Sequence, residues 1–364
     1  MPKFPKLLIL WLVAIGLLYA VTAFFMASSL QDAKARDAER FADRLDRNAT
    51  EAGRTGADQA VLETLDESAL SKVHVGVYID RIADLSLRNS SWQVDFYVWF
   101  RWSDRRLNPG ASFQVIDGEI IRRALETEHE ENGEKYALYR VQARISKFFG
   151  IQRFPRDDHL LTLRIEDTES YVNEMLYVPD VEGSSVSSRV EIPGYDIIPL
   201  DPVEKPHSYK TQRGDPRVAE DFRATYSQLI YGISIQRPGW ALYMKMFLGT
   251  FSSVAIAMLA FLVHPAMSGP RFAVGVGAFF AGVASTYVVS NLLPQNGQVG
   301  LTDYVTSISL VTIFLTIVTS AISVTVHERE GLSEARQRFD LLALGCFAIG
   351  YIALNVVIAQ AASI

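Results

Sequence analysis

The chain has 364 residues, a formal net charge of −6 and one cysteine, Cys346. That length allows about two domains, the single cysteine excludes a disulfide framework or a cysteine-based zinc site within one chain, and the modest negative charge gives no reason to expect nucleic acid. Two regimes are mixed: most charged residues fall between Gln31 and Arg237, and four late apolar segments carry almost none.

The first feature in chain order is an apolar run, Leu7–Ala27, behind Lys3 and Lys6. Small residues within Ala23–Ser29 offer a cleavage site, so a signal peptide is one reading. The run exceeds the roughly 7–15 apolar residues of a usual signal peptide, which favours a retained signal anchor. Either way the lysines stay in the cytoplasm and the following segment is exported. Gln31–Ala69 is rich in Ala, Glu, Asp and Arg and reads as a helical spacer with a break near Gly53–Gly56.

Strand patterning begins at Lys72. Val73, Val75, Val77 and Ile79 alternate with Lys72, His74, Gly76 and Tyr78, the period of a half-buried strand. From Trp92 the alternation is cleaner. Trp92, Val94, Phe96, Val98, Phe100 and Trp102 point one way; Gln93, Asp95, Tyr97, Trp99 and Arg101 point the other. Such a pattern suits an antiparallel sheet with one face on a core. Further strands are expected at Phe113–Ile116, Glu119–Glu128, Lys135–Lys147, His159–Glu166, Val190–Pro199 and Phe222–Gln236. Turn signals at Asn108-Pro109-Gly110, Asp117-Gly118, Glu131-Asn132-Gly133 and Pro193-Gly194 separate them. Many short strands with frequent turns argue for an Ig-like β-sandwich of about ten strands.

Four apolar segments close the chain: Trp240–Val263, Phe272–Leu293, Tyr304–Val326 and Leu341–Ala361. Each is close to the roughly 20 residues a helix needs to cross a bilayer. Arg271, Arg329, Arg336 and Arg338 lie in the turn and linker that the positive-inside rule puts in the cytoplasm, whereas Pro294–Asp303 carries no Lys or Arg. The expected fold is therefore an all-β extramembrane sandwich plus a four-helix transmembrane bundle, with an additional N-terminal hydrophobic helix. The expected divisions are residues 1–28 (anchor or signal peptide), 29–70 (spacer), 71–236 (exported β-domain) and 237–364 (membrane domain).

Several strings carry a family resemblance. Trp102-Ser103-Asp104-Arg105-Arg106-Leu107 contains a Trp-x-Asp-x-Arg-Leu string, and Phe154-Pro155-Arg156-Asp157-Asp158-His159-Leu160-Leu161-Thr162-Leu163 looks like a Phe-Pro-Phe-Asp-x-Gln-x-Leu-x-Leu segment, with Arg156 and His159 in place of its second Phe and its Gln. Arg237 stands just before the first late apolar segment, and Pro294 follows the second. In order and spacing these resemble the pentameric ligand-gated ion channels, or Cys-loop receptors, of the prokaryotic type that lacks the loop cysteines. The resemblance covers roughly Ser71–Ile364; the residues before it lie outside. It implies a homopentamer in a lipid bilayer, with a ring of exported sandwiches, ligand sites between adjacent sandwiches, and a pore lined by the second membrane helix of each subunit.

On that reading Arg271–Leu293 is the pore helix, about 33 Å long. Stepping from Ala273 by alternating four and three gives the pore line Ala273, Gly277, Phe280, Ala284, Tyr287 and Asn291. A ring of Phe280 side chains makes an apolar constriction that stops ions by dewetting, with Tyr287 a second constriction above it. No carboxylate stands in Ser268-Gly269-Pro270-Arg271, which leans the permeating ion toward anions or poor selectivity, unless Arg271 faces neighbouring helices. The resemblance also implies an Asp157–Arg237 ion pair in the coupling zone, together with Pro155 and Pro294. Candidate ligand-binding aromatics are Tyr97, Trp99, Tyr171, Tyr177 and Tyr209, the first two contributing from the complementary side. Glu128, His129, Glu130 and Glu131 crowd one hairpin and are candidates for sensing protons or divalent cations; a solvated acidic hairpin is the plainer alternative.

The expected function is a ligand- or proton-gated ion channel in the cell (inner) membrane, with its β-domain periplasmic. The effector is a small molecule, a proton or a divalent cation. The alternative is a non-conducting membrane sensor or scaffold on the same architecture. No cofactor is expected. An enzyme is not: there is no Gly-x-Ser-x-Gly, His-Glu-x-x-His or phosphate loop, and His74, His129, His159 and His207 are scattered without ligand spacing.

Overall fold

The computed structural model describes residues 6–47, 70–209, 224–291, 293, 297–330 and 333–363. They belong to two compact units. One comprises Met1–Ala35, Gly150–Asp157 and Arg237–Ile364; the other comprises Arg36–Phe149 and Asp158–Gln236.

The second unit is built from β-strands. They are β1 (Ser71–Ser86), β2 (Ser91–Trp102), β3 (Phe113–Val115), β4 (Gly118–Glu131), β5 (Glu134–Ser146) and β6 (Asp158–Asp167), with a single helical turn, α2 (Pro109–Ser112), between β2 and β3. Then follow β7 (Met175–Pro179), β8 (Ser185–Val186), β9 (Asp196–Pro199), β10 (Val203–Ser208) and β11 (Thr225–Gln236). One sheet runs β4-β5-β2-β1-β7, with β8 also on β1; the other runs β10-β11-β6-β3, with β9 also on β11. All pairings are antiparallel except those of β7 and β8 with β1. Both sheets feed one core. Val75 and Val77 of β1 and Phe96, Val98 and Phe100 of β2 are fully buried, as are Leu161 and Ile165 of β6 and Leu229 and Ile233 of β11. The period-two pattern of β2 is thus realised, with Asp95 the exception: it is buried on the polar side and paired with Arg81 at 2.6 Å.

The expected Val190–Pro199 strand is realised only as β9. Pro193-Gly194 breaks it, Gly194 taking φ +80°, and an isolated bridge joins Ile192 to Tyr195. Strands β7, β8 and β10 were not expected, because they are short and lack apolar alternation.

The first unit is helical. Its elements are α1 (Lys6–Leu45, whose last turns belong to the other unit), α3 (Ala241–Met258, continued by a 3-10 turn Leu259–Leu262), α4 (Ser268–Ser290), α5 (Leu301–Glu330) and α6 (Ser333–Ala362). Among the described residues five helices are long and apolar enough to cross a membrane: Lys6–Leu45, Ala241–Leu262, Ser268–Ser290, Leu301–His327 and Arg338–Ala362. The chain therefore has the make-up of a multi-pass membrane protein. Pro265 ends the first late segment, since the residue before proline avoids the helical region, and Val263 is already extended. Pro270 sits in the first turn of α4, where proline costs no helical hydrogen bond. A single helix runs through the expected boundary at residue 28, and the expected break near Gly53–Gly56 lies outside the described residues.

Small residues set how closely these helices pack. A β-carbon on Gly275 would lie 2.7 Å from Ile317 of α5, and one on Gly282 3.1 Å from Ile313. On α3, one at Gly249 would lie 2.7 Å from Ser285 of α4. Backbones approach at such points, as membrane helix interfaces require.

Candidate functional site

Helix α4 has two unlike faces. Arg271, Gly275, Ala278, Gly282 and Val289 are buried. Ala273, Gly277, Phe280, Ala284, Tyr287 and Asn291 are all exposed, Phe280 by 68% and Tyr287 by 71%. The four-three line read from the sequence therefore lies wholly on the uncovered side. Arg271 does not share that side. It is fully buried; it donates to Asp340 of α6 at 3.0 and 2.7 Å and to the Val263 carbonyl at 3.2 Å, and its guanidinium lies 5.9 Å from the Phe261 ring. A cation neutralised in this way brings no net charge to the exposed side of α4, so Arg271 itself lends no support to the expected lean toward anions.

Residues 150–157 form a strap on the helical unit. The Leu301 N–H donates to the Gln152 carbonyl at 2.7 Å, and Thr302 Oγ1 donates to the Phe154 carbonyl at 3.1 Å. Arg153, almost wholly buried, donates to the Ala362 carbonyl at 3.5 Å, and Arg156 donates to the Gly239 carbonyl at 2.6 Å while lying over the Trp240 ring. Asp157 and Arg237 pair at 2.9 Å, both largely buried, and the Arg237 guanidinium sits 5.1 Å from the Phe154 ring. Pro155, joined to Phe154 by a cis bond, lies in the middle of this strap. Pro294 lies outside the described residues.

In the β-unit the five aromatics separate. Tyr209 and Tyr171 come together through Tyr226, with ring centroids 5.7 and 5.1 Å apart, and His207 lies 4.4 Å from Tyr209. Beneath this group is Glu166, which is completely buried. It accepts from Tyr209 Oη at 2.8 Å, Gln228 Nε2 at 3.1 Å and Gln114 Nε2 at 3.4 Å, with His207 Nδ1 at 3.1 Å. Tyr97 and Trp99 belong to the other sheet. Tyr97 lies beside Tyr78 and under Arg140; Trp99 donates to Asp180 at 3.0 Å. Tyr177 is in the core, 6.2 Å from Phe100, and burial raises its phenol well above the usual range. It reaches no surface from which to bind a ligand.

Nothing in the sequence brings Glu166, His207 and Tyr226 to one site. A carboxylate in a strand such as Leu163–Asp167 signals little until β10 and β11 bring donors to it. The Trp-x-Asp-x-Arg-Leu string closes on itself. Trp102 Nε1 donates to the Leu107 carbonyl at 3.0 Å, and Asp104 takes a bond from Arg106 Nη2 at 2.7 Å and one from Ser71 at 2.6 Å. Arg106 and then Ser71 hold the Asp104 carboxyl well below its ordinary range. Glu128, His129, Glu130 and Glu131 are exposed at the tip of β4–β5. There His129 faces Tyr136 and Glu130 pairs with Arg105 at 3.1 Å. Among the described residues no group of three or more His, Cys, Asp or Glu is arranged to hold a metal ion. No protein-family model matches the chain, and no curated protein matches it.

Proposed function

We propose that the chain is one subunit of a homopentameric ligand- or proton-gated ion channel. In it, α4 lines the pore, the β-unit forms a periplasmic sandwich ring that receives the effector, and the strap at 150–157 carries the signal into the helices. One observation carries the reading. The α4 residues that would line an axis are the uncovered ones, while the opposite face is packed on α3 and α5 and its single cation is neutralised by Asp340. A helix with small residues, two aromatics and an amide along an uncovered stripe is suited to facing copies of itself across a narrow passage, with Phe280 as the gate. Tyr226 on β11 with Tyr171 and Tyr209 beside it, and Tyr97 and Trp99 on the other sheet, suit a site completed between neighbouring subunits.

The test is recording from purified protein in liposomes across pH and calcium, together with particle symmetry by electron microscopy. Five-fold particles and gated currents are expected. Phe280→Ala is expected to raise resting current at least several-fold. Silent five-fold particles would favour the sensor reading, and particles without five-fold order would end both.

A further inference from the structure

Helix α1 has one covered side and one exposed side. Its buried and half-buried residues recur by threes and fours: Leu8, Leu12, Ile15, Tyr19, Ala23, Met26, Leu30 and Ala33. The intervening Leu7, Leu10, Val13, Leu17, Phe24 and Phe25 are exposed. This is the stripe of a helix packed on a partner, with the other side left to lipid. The partner surface is polar. Helix α5 buries a line of hydroxyls, including Thr306, Ser309, Thr312, Thr316 and Thr319; Thr306, Ser309 and Thr316 donate to carbonyls one turn back in their own helix, and Ser309 also meets the Tyr351 hydroxyl of α6.

Two of these hydroxyls are met from α1. Trp11 Nε1 donates to Thr319 Oγ1 at 3.0 Å, and the Tyr19 hydroxyl bonds Thr312 Oγ1 at 2.9 Å. Nearer the outer end Tyr304 Oη donates to Ser29 Oγ at 3.0 Å. Numbers rise along α1 as they fall along α5, so the three rungs define one antiparallel register. Helix α6 completes the seat. Cys346 Sγ lies 3.7 Å from the Leu12 carbonyl, Phe347 meets Tyr19 edge-on, and a β-carbon on Gly350 would come within 2.5 Å of the Tyr19 ring. The candidate cleavage stretch Ala23–Ser29 lies inside this helix, with Ala23, Met26 and Ala27 packed on the same hydrophobic cluster.

We propose that α1 is a permanent fifth membrane helix, docked along the hydroxyl line of α5 and in the notch at Gly350, rather than an export signal that is removed. Trp11 and Tyr19 fix its register, because in hydrocarbon a polar group gains most from a specific partner. The chain's own N-terminal segment is thus the ligand of the α5–α6 surface.

Intact-mass spectrometry of the purified, unaltered chain is the first test. Residues ahead of Ala23 are expected to be present; a mature chain beginning between Ala23 and Leu30 overturns the proposal. The second test pairs Leu12→Cys with the native Cys346 under mild oxidation. A linked peptide pair is expected, with little linkage for Leu17→Cys on the exposed side, and adding Trp11→Phe and Tyr19→Phe is expected to cut the yield several-fold. Equal linkage at 12 and 17, no linkage at 12, or a yield unmoved by the two Phe substitutions overturns the docking. If Leu12→Cys does not fold, Gly350→Leu serves instead: it is expected to raise proteolysis of α1, and unchanged cleavage overturns the docking. None of these readouts depends on conduction, so their failure leaves the channel reading standing.

Discussion

Gly76 has no room for a side chain: a β-carbon there would overlap the Trp99 ring. Overpacking of this kind typically costs about 1–3 kcal/mol. Gly76→Ala is therefore expected to lower the thermal midpoint of the β-unit, and Trp99→Ala in the same background to recover part of the loss. Lys147 offers a titration. Burial, with Arg44 and Arg164 adding to it and Asp37 opposing, pushes its ammonium down to about 7. The folded chain then releases this proton near neutrality, whereas the unfolded chain holds it to about 10.4. Between those values the unfolded state binds more protons, so stability rises with pH across that window. Lys147→Met is expected to flatten the rise in a denaturation series; an unchanged slope would assign it to other groups. Neither residue stands out in the sequence. Gly76 occupies an ordinary alternating position in a strand, and Lys147 gains its surroundings only when α1 and β6 bring two arginines near. Trp102-x-Asp104-x-Arg106-Leu107 is legible as a string, but its chemistry is local closure, which no spacing rule reveals.

At the scale of elements, long periodic segments were readable and short ones were not. β1 as far as Ile79, and β2 along its whole length, follow their alternation because one face is buried. β7, β8 and β10 are held by pairing with distant strands and leave no periodic trace. The four late apolar helices could be read from length alone. Thr312 and Thr319 of α5 could not be interpreted that way, since their partners lie some 290 or more positions away in the chain. Among the ion pairs that join segments distant in sequence are Asp157–Arg237 in the strap and Arg271–Asp340 between α4 and α6. Removing one partner of a buried pair strands the other charge and costs about 3–5 kcal/mol. Asp157→Ala and Asp340→Ala are each expected to lose on that order in a thermal-shift assay. For the first, a double-mutant cycle with Arg237→Ala is expected to show strong coupling; additive losses would argue that the two charges act separately.

For the molecule as a whole, an odd number of crossings gives the two ends opposite addresses. If all five apolar helices span, Lys6 lies in the cytoplasm and Ala362 on the far side. A phosphatase reporter fused after Ile364 is expected to be active and a fluorescent protein at the same place dark. The reverse pattern would mean that α1 or one late helix does not cross.

The bare α-carbon of Gly300 has a mechanical consequence. The backbone of Gln152 rests directly on it, and a β-carbon would collide with that backbone. A single methyl at 300 would act as a shim, prising the strap away from the top of α5 while adding or removing no charge and no aromatic ring. Position 300 is thus where contact can be disengaged by thickness alone, separating the mechanical fit of the linkage from its electrostatics.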